Sequence, residues 1–150
     1  MKWKLVLIGG VVFWLVTNVV GLFGTGFVIH QQILDPVYRA HESFWLPELR
    51  QDPPDMAALL PGWLGMSLLS SLVIAGLYSL VRGSFSGPGW RRGLSWGLCL
   101  GVFTLVSYLG WSGIFALPLE LFIWWGVDAL VLFAIGGAAM GWAGGRFAKD

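Results

Sequence analysis

The chain has 150 residues, 57% of them hydrophobic and 11% charged, with a mean hydropathy of +0.75. That composition lies outside the range of soluble domains and makes an integral membrane protein the default class. The formal net charge is +1 with no basic stripe that points to nucleic acid, and a single cysteine, Cys99, excludes an intrachain disulfide and a CxxC metal site.

Four apolar runs, residues 5–29, 59–81, 93–111 and 117–142, dominate the pattern. Each can cross about 30 Å of hydrocarbon at about 1.5 Å per residue. The expected fold is therefore an all-α membrane protein, one four-helix transmembrane domain over residues 1–150 with no room for a separate soluble domain. The first run follows Met1-Lys2-Trp3-Lys4 but is too long for a signal peptide. No small-x-small cleavage site precedes a polar region, so it reads as an uncleaved first helix. Lys2, Lys4, Arg82, Arg91, Arg92, Arg146 and Lys149 fall on one side of this arrangement and only Arg39 and Arg50 on the other. The positive-inside rule then places both termini in the cytoplasm.

The connection between the first two runs is the one extended polar stretch. Asp35-Pro36 is a helix start, with Asp as N-cap and Pro at the first position, and Pro47 would stop that helix about three turns later. Val37, Tyr38, His41, Phe44 and Trp45 share one face, which predicts an amphipathic helix lying on the outer membrane surface. His30, Asp35, His41 and Glu42 are all metal-ligand types within thirteen residues. Their spacing is not that of a HExxH site, which needs two histidines one turn apart. The plainer reading hydrogen-bonds both histidines at the headgroup level, with no metal, and no haem either, since both lie at or beyond the outer end of one span. No cofactor is expected.

Trp3, Trp45, Trp63, Trp90, Trp111 and Trp142 fall near span ends and read as an aromatic belt. Trp14, Trp124 and Trp125 lie within spans, facing lipid or lining a cavity. In the third run Gly93, Gly97 and Gly101 recur every four residues, as do Gly137, Gly141 and Gly145 in the fourth. Such faces permit close backbone approach. With only a short turn between the two runs they predict an antiparallel hairpin, or else a homodimer. A short echo, Val12-Phe13-Trp14-Leu15-Val16-Thr17 against Val102-Phe103-Thr104-Leu105-Val106-Ser107, raises the alternative of two related hairpins.

Asp128 sits inside the fourth run, and no lysine or arginine lies in any run to pair with it. A carboxylate at the bilayer centre costs roughly 2.5–3.5 kcal/mol and normally faces a bundle interior or a water-filled cavity. Counting along each run places Asn18, Ser70, Ser71, Thr104, Ser107, Tyr108 and Asp128 in one layer between the midplane and the outer leaflet. Turning these groups toward each other around Asp128 avoids polar contact with lipid. Glu120 lies two turns nearer the outside, about 80° around the same helix.

The stretch Arg91-Arg92-Gly93-Leu94-Ser95-Trp96-Gly97-Leu98-Cys99-Leu100-Gly101, followed by an aromatic-rich turn and a Gly/Ala-rich fourth helix, resembles small uncharacterised bacterial four-helix inner-membrane proteins. The resemblance implies a location in the bacterial plasma membrane and carries over no activity. The leading expectation is a non-enzymatic accessory or structural protein of the bilayer, associating through its glycine-faced helices with itself or with a larger complex. The alternative is a small transporter or proton- or cation-responsive protein built on Asp128 and Glu120. A membrane enzyme with an outer-face His/Asp/Glu site is the third.

Overall fold

The computed structural model describes residues 2–147, and every regular element among them is helical. α1 (Trp3–Val20) passes directly into a π-wound continuation, Gly21–Ile33. The connection that follows holds α2 (Asp35–Ala40) and two 3-10 turns, Glu42–Phe44 and Pro47–Arg50. α3 (Met56–Val81), α4 (Gly89–Trp111) and α5 (Leu119–Phe147) complete the chain. Four segments, Trp3–Ile33, Met56–Ser84, Gly89–Trp111 and Leu119–Phe147, are long and apolar enough to cross a membrane. Lys149, counted above among the charges that set orientation, lies outside the described residues.

A side-chain cap sets one helix start, and proline marks two others. α3 starts ahead of its apolar run because the Asp55 carboxylate accepts the Ala58 N–H at 3.2 Å. Asp55→Ala is expected to cost about 1 kcal/mol, read as a lower thermal midpoint in detergent. α4 opens directly after Pro88 and α5 directly after Pro118. The first spanning segment does not end at residue 29. It continues to Ile33, where the Leu34 N–H donates to the Ile29 carbonyl at 2.8 Å, a bond five residues back. Glycine is required on this wide winding at position 26, where a Cβ would overlap the Gly21 carbonyl oxygen.

The helix expected from Asp35 to Pro47 is corrected to a single short one. Leu34 takes the N-cap position, Asp35 and Pro36 enter the first turn, and α2 stops at Ala40. Side-chain donors take the carbonyls that further helical turns would use. The His41 Nδ1–H donates to Val37 O at 2.9 Å, Trp45 Nε1 to Tyr38 O at 2.8 Å, and Arg50 to both Ser43 O and Trp45 O. Tyr38 and Trp45 thereby turn onto the ends of the long helices, while Phe44 stays half exposed.

The long helices pack in the order α3, α1, α5, α4. α4 and α5 make the most extensive contact, and Gly93, Gly97, Gly101, Gly137 and Gly141 are buried within it. A Cβ at Gly93 would overlap the Gly137 carbonyl, one at Gly97 the Phe133 carbonyl, and one at Gly141 the Gly89 carbonyl. Gly145 lies beside the Gly89 Cα and is exposed. Small residues set α1 as well, with Gly10 against Leu72 of α3, and Gly136 and Gly144 of α5 against Phe13 and Leu5. A parallel repeat would make α4 meet α3 as α1 meets α5, yet no comparable α3–α4 contact exists.

A buried cluster of Leu5, Phe13, Ala75, Tyr78 and Met140, with Ile74, Trp96 and Phe133 packed against it, fills the half of the molecule nearer the termini. The opposite half holds His30, Thr104, Tyr108, Trp125 and Asp128. Two cavities lie there and toward the middle, separated by Leu132 and Phe133, which line both.

Candidate functional site

The larger of the two, an open-sided cavity of about 470 Å³, lies where the end of the first spanning segment meets α4 and α5. His30, Thr104, Tyr108, Trp111, Trp125 and Asp128 supply its polar and aromatic lining, and Ala129, Leu132 and Phe133 its apolar base. His30 Nε2 stands 3.4 Å from Asp128 Oδ2, with the two side chains 35% and 18% exposed. His30 is thus the partner that no lysine or arginine supplies. A count at α-helical rise puts it at the surface, whereas the π-wound segment advances less per residue and keeps it within reach of Asp128.

The connection after the first spanning segment completes the group. Trp125 Nε1 donates to Tyr38 Oη at 2.9 Å, since an indole nitrogen only donates. Tyr38 Oη lies 2.6 Å from His30 Nδ1; with the phenol as donor there, the imidazole carries its proton on Nε2, facing Asp128. The rings of His30 and Tyr38 are stacked at 6.0 Å, and Trp45 stands edge-on to both Tyr38 and Trp125. Trp125, Tyr38, His30 and Asp128 therefore form one hydrogen-bonded line from α5 through α2 and back to α5.

Three buried side-chain polar atoms lack a hydrogen-bond partner among the described residues: Thr25 Oγ1, Trp96 Nε1 and Asp128 Oδ1. Only the last belongs to a group that can carry charge. An unsatisfied buried acceptor costs about 1–3 kcal/mol and calls for a donor that the described residues do not supply.

Burial pushes the Tyr38 phenol up to about 12 from the usual 10.0; the Trp125 N–H works against this, and the Asp128 charge adds to it. Because the folded value is the raised one, the stabilisation is complete below pH 10.0 and is lost as pH climbs through about 12. The wild-type thermal midpoint should fall across that window, and Tyr38→Phe should flatten the fall. At neutral pH the same variant is expected to cost about 1 kcal/mol for the lost hydrogen bonds.

Only part of the expected polar layer gathers around Asp128. Thr104 and Tyr108 share its cavity. Asn18, Ser70 and Ser71 line the second cavity, about 390 Å³, between α1, α3 and α5. There Trp14 Nε1 donates to Ser67 Oγ at 2.9 Å, the Asn18 amide to the Trp14 carbonyl at 2.8 Å, and Ser71 Oγ to Ser67 O at 2.7 Å. Ser107 lines neither cavity and donates back to Phe103 O at 2.8 Å. Glu120 is exposed on the first turn of α5, outside both linings. The single layer is therefore corrected to two separate polar sites, because α3 and α4 lie at opposite ends of the row of helices.

His30, Asp35, His41 and Glu42 do not converge. His30 points to Asp128, Asp35 pairs with Arg39 at 2.8 Å, and His41 bonds to its own helix. No group of three His, Cys, Asp or Glu placed to hold a metal ion occurs among the described residues. The residues that sequence reasoning missed at the Asp128 site are His30 in its inward role, Tyr38, Trp111 and Trp125. The one signal for them was Trp125 on the same helix as Asp128, within a turn of it.

Comparisons with protein-family models, curated proteins and solved structures gave no match.

Proposed function

We propose that this chain is a multi-pass protein of the bacterial plasma membrane, with both termini cytoplasmic, that moves or senses protons or small cations at the His30–Asp128 site. One observation carries the reading: a carboxylate well inside a spanning-length helix lines a cavity, meets a histidine at 3.4 Å and keeps its second oxygen without a donor. Ionisable groups in that setting are costly, and ion and proton pathways are where they recur. The excess of Lys and Arg at the end that carries the termini supports the orientation. Glu120, exposed nearer the outer end of the same helix, adds negative charge on the approach.

The test is proton flux from proteoliposomes containing a pH-sensitive dye, and sodium flux from a second set containing a sodium-sensitive one. Wild-type chain is expected to dissipate an imposed gradient faster than empty liposomes, and Asp128→Asn to lose at least tenfold of that rate in a particle of unchanged size. Equal rates for the two proteins, or for wild type and empty liposomes, would overturn the reading.

A second reading, an accessory protein bound to a second copy or to a larger complex, draws on the open row of helices, in which α3 and α4 flank α1 and α5 without closing on each other. The buried glycines of α4 and α5 are not available to such a partner, since they face each other within the chain. Failure of Asp128→Asn to assemble into the native particle would favour this role.

A further inference from the structure

We infer that the Asp128 cavity takes a protonated amine carried on an apolar, ring-bearing body; this rests on the cation-responsive reading above and names its ligand class. The walls are aromatic. Tyr108 stands between Trp111 and Trp125, with ring centroids 5.6 and 5.9 Å away and planes tilted by 75° and 60°. Three rings set at such angles form a corner, not a stack, and rings of this kind attract a cation through their electron-rich faces. Asp128 is the only acid in the lining.

The alternatives fit less well. A hard metal ion needs about six oxygen ligands, and the lining offers one carboxylate, one hydroxyl from Thr104 and one phenol from Tyr108. An anion would meet ring faces and a carboxylate. A neutral apolar molecule would suit Ala129, Leu132 and Phe133 but would leave Asp128 Oδ1 without a donor. An ammonium N–H satisfies the carboxylate while the body of the ligand lies against the rings. It also outcompetes His30, because a charge-assisted bond of about 2.8 Å is stronger than the 3.4 Å contact now present. A volume of about 470 Å³ suits a small organic molecule and exceeds what a bare ion needs.

The full chain in lipid nanodiscs would be titrated with 1-naphthylmethylamine, with 1-naphthylmethanol as the uncharged match and empty nanodiscs as the partition blank. Saturable amine binding at least tenfold tighter than that of the alcohol is expected. Asp128→Asn should lose at least tenfold in amine affinity. Trp111→Leu should lose about fivefold and, being half exposed, keeps the fold if the aspartate variant does not. Equal binding of amine and alcohol, binding no greater than in empty nanodiscs, or an amine affinity indifferent to both variants would overturn the inference. The flux of the same purified chain in proteoliposomes separates the two claims. A flux that still depends on Asp128 without amine binding removes only the ligand class, whereas a flux indifferent to Asp128 removes the cation-responsive reading as well.

Discussion

Gly137→Leu is expected to destabilise the protein by about 3 kcal/mol or more, the upper end of the cost of overpacking. A Cβ at this position would overlap the Gly93 carbonyl and stand 3.0 Å from the Gly97 Cα. Both obstacles are backbone of a regular helix, so no rotamer change makes room. α4 and α5 must then separate along a contact that depends on the sum of many small dispersion terms. Gly62→Leu is the matched control, because nothing lies within 4 Å of the added Cβ, and its effect should stay within about 0.5 kcal/mol. Thermal midpoints of the two variants in one mild detergent make the comparison. Equal midpoints would mean that the helices meet along another face.

His30→Leu should cost about 2 kcal/mol, somewhat below the 3–5 kcal/mol typical of breaking a fully buried pair because His30 is 35% exposed. The variant removes the Nε2–H that faces Asp128 Oδ2, and with Oδ1 already unpartnered the carboxylate keeps no donor among the described residues. It also leaves the Tyr38 hydroxyl without its acceptor. In the double variant His30→Leu/Asp128→Leu the stranded charge is gone, and most of the loss should be recovered. The coupling energy of this cycle isolates the pair. Additive losses would show that His30 and Asp128 do not hold each other.

Legibility followed how local each feature is. The cost of Asp128 in an apolar run is a property of one segment and could be read there without a neighbour. The i, i+4 spacing of Gly93, Gly97 and Gly101 is likewise written into one helix, and the short turn after it pointed to the fourth helix, which packs on that face. The connection after the first span was legible as far as Asp35-Pro36. It was misread beyond Ala40, because its helix ends where the side chains of His41 and of Trp45, further downstream, take the Val37 and Tyr38 carbonyls.

By itself the sequence determined four helices long and apolar enough to span a membrane, an acid inside the last of them, and a helix start at Asp35-Pro36. These are sums over neighbouring residues, and no distant contact alters them. Only the tertiary structure decided that His30 meets Asp128, 98 residues away, and that Tyr38 joins them. It also divided the polar groups between two cavities. Those outcomes depend on the azimuth of each helix about its axis and on the π winding of Gly21–Ile33, which shifts both the height and the direction of every side chain beyond it. Packing sets the azimuth of α1, because its glycine contacts with α3 and α5 restrict how it can turn about its axis.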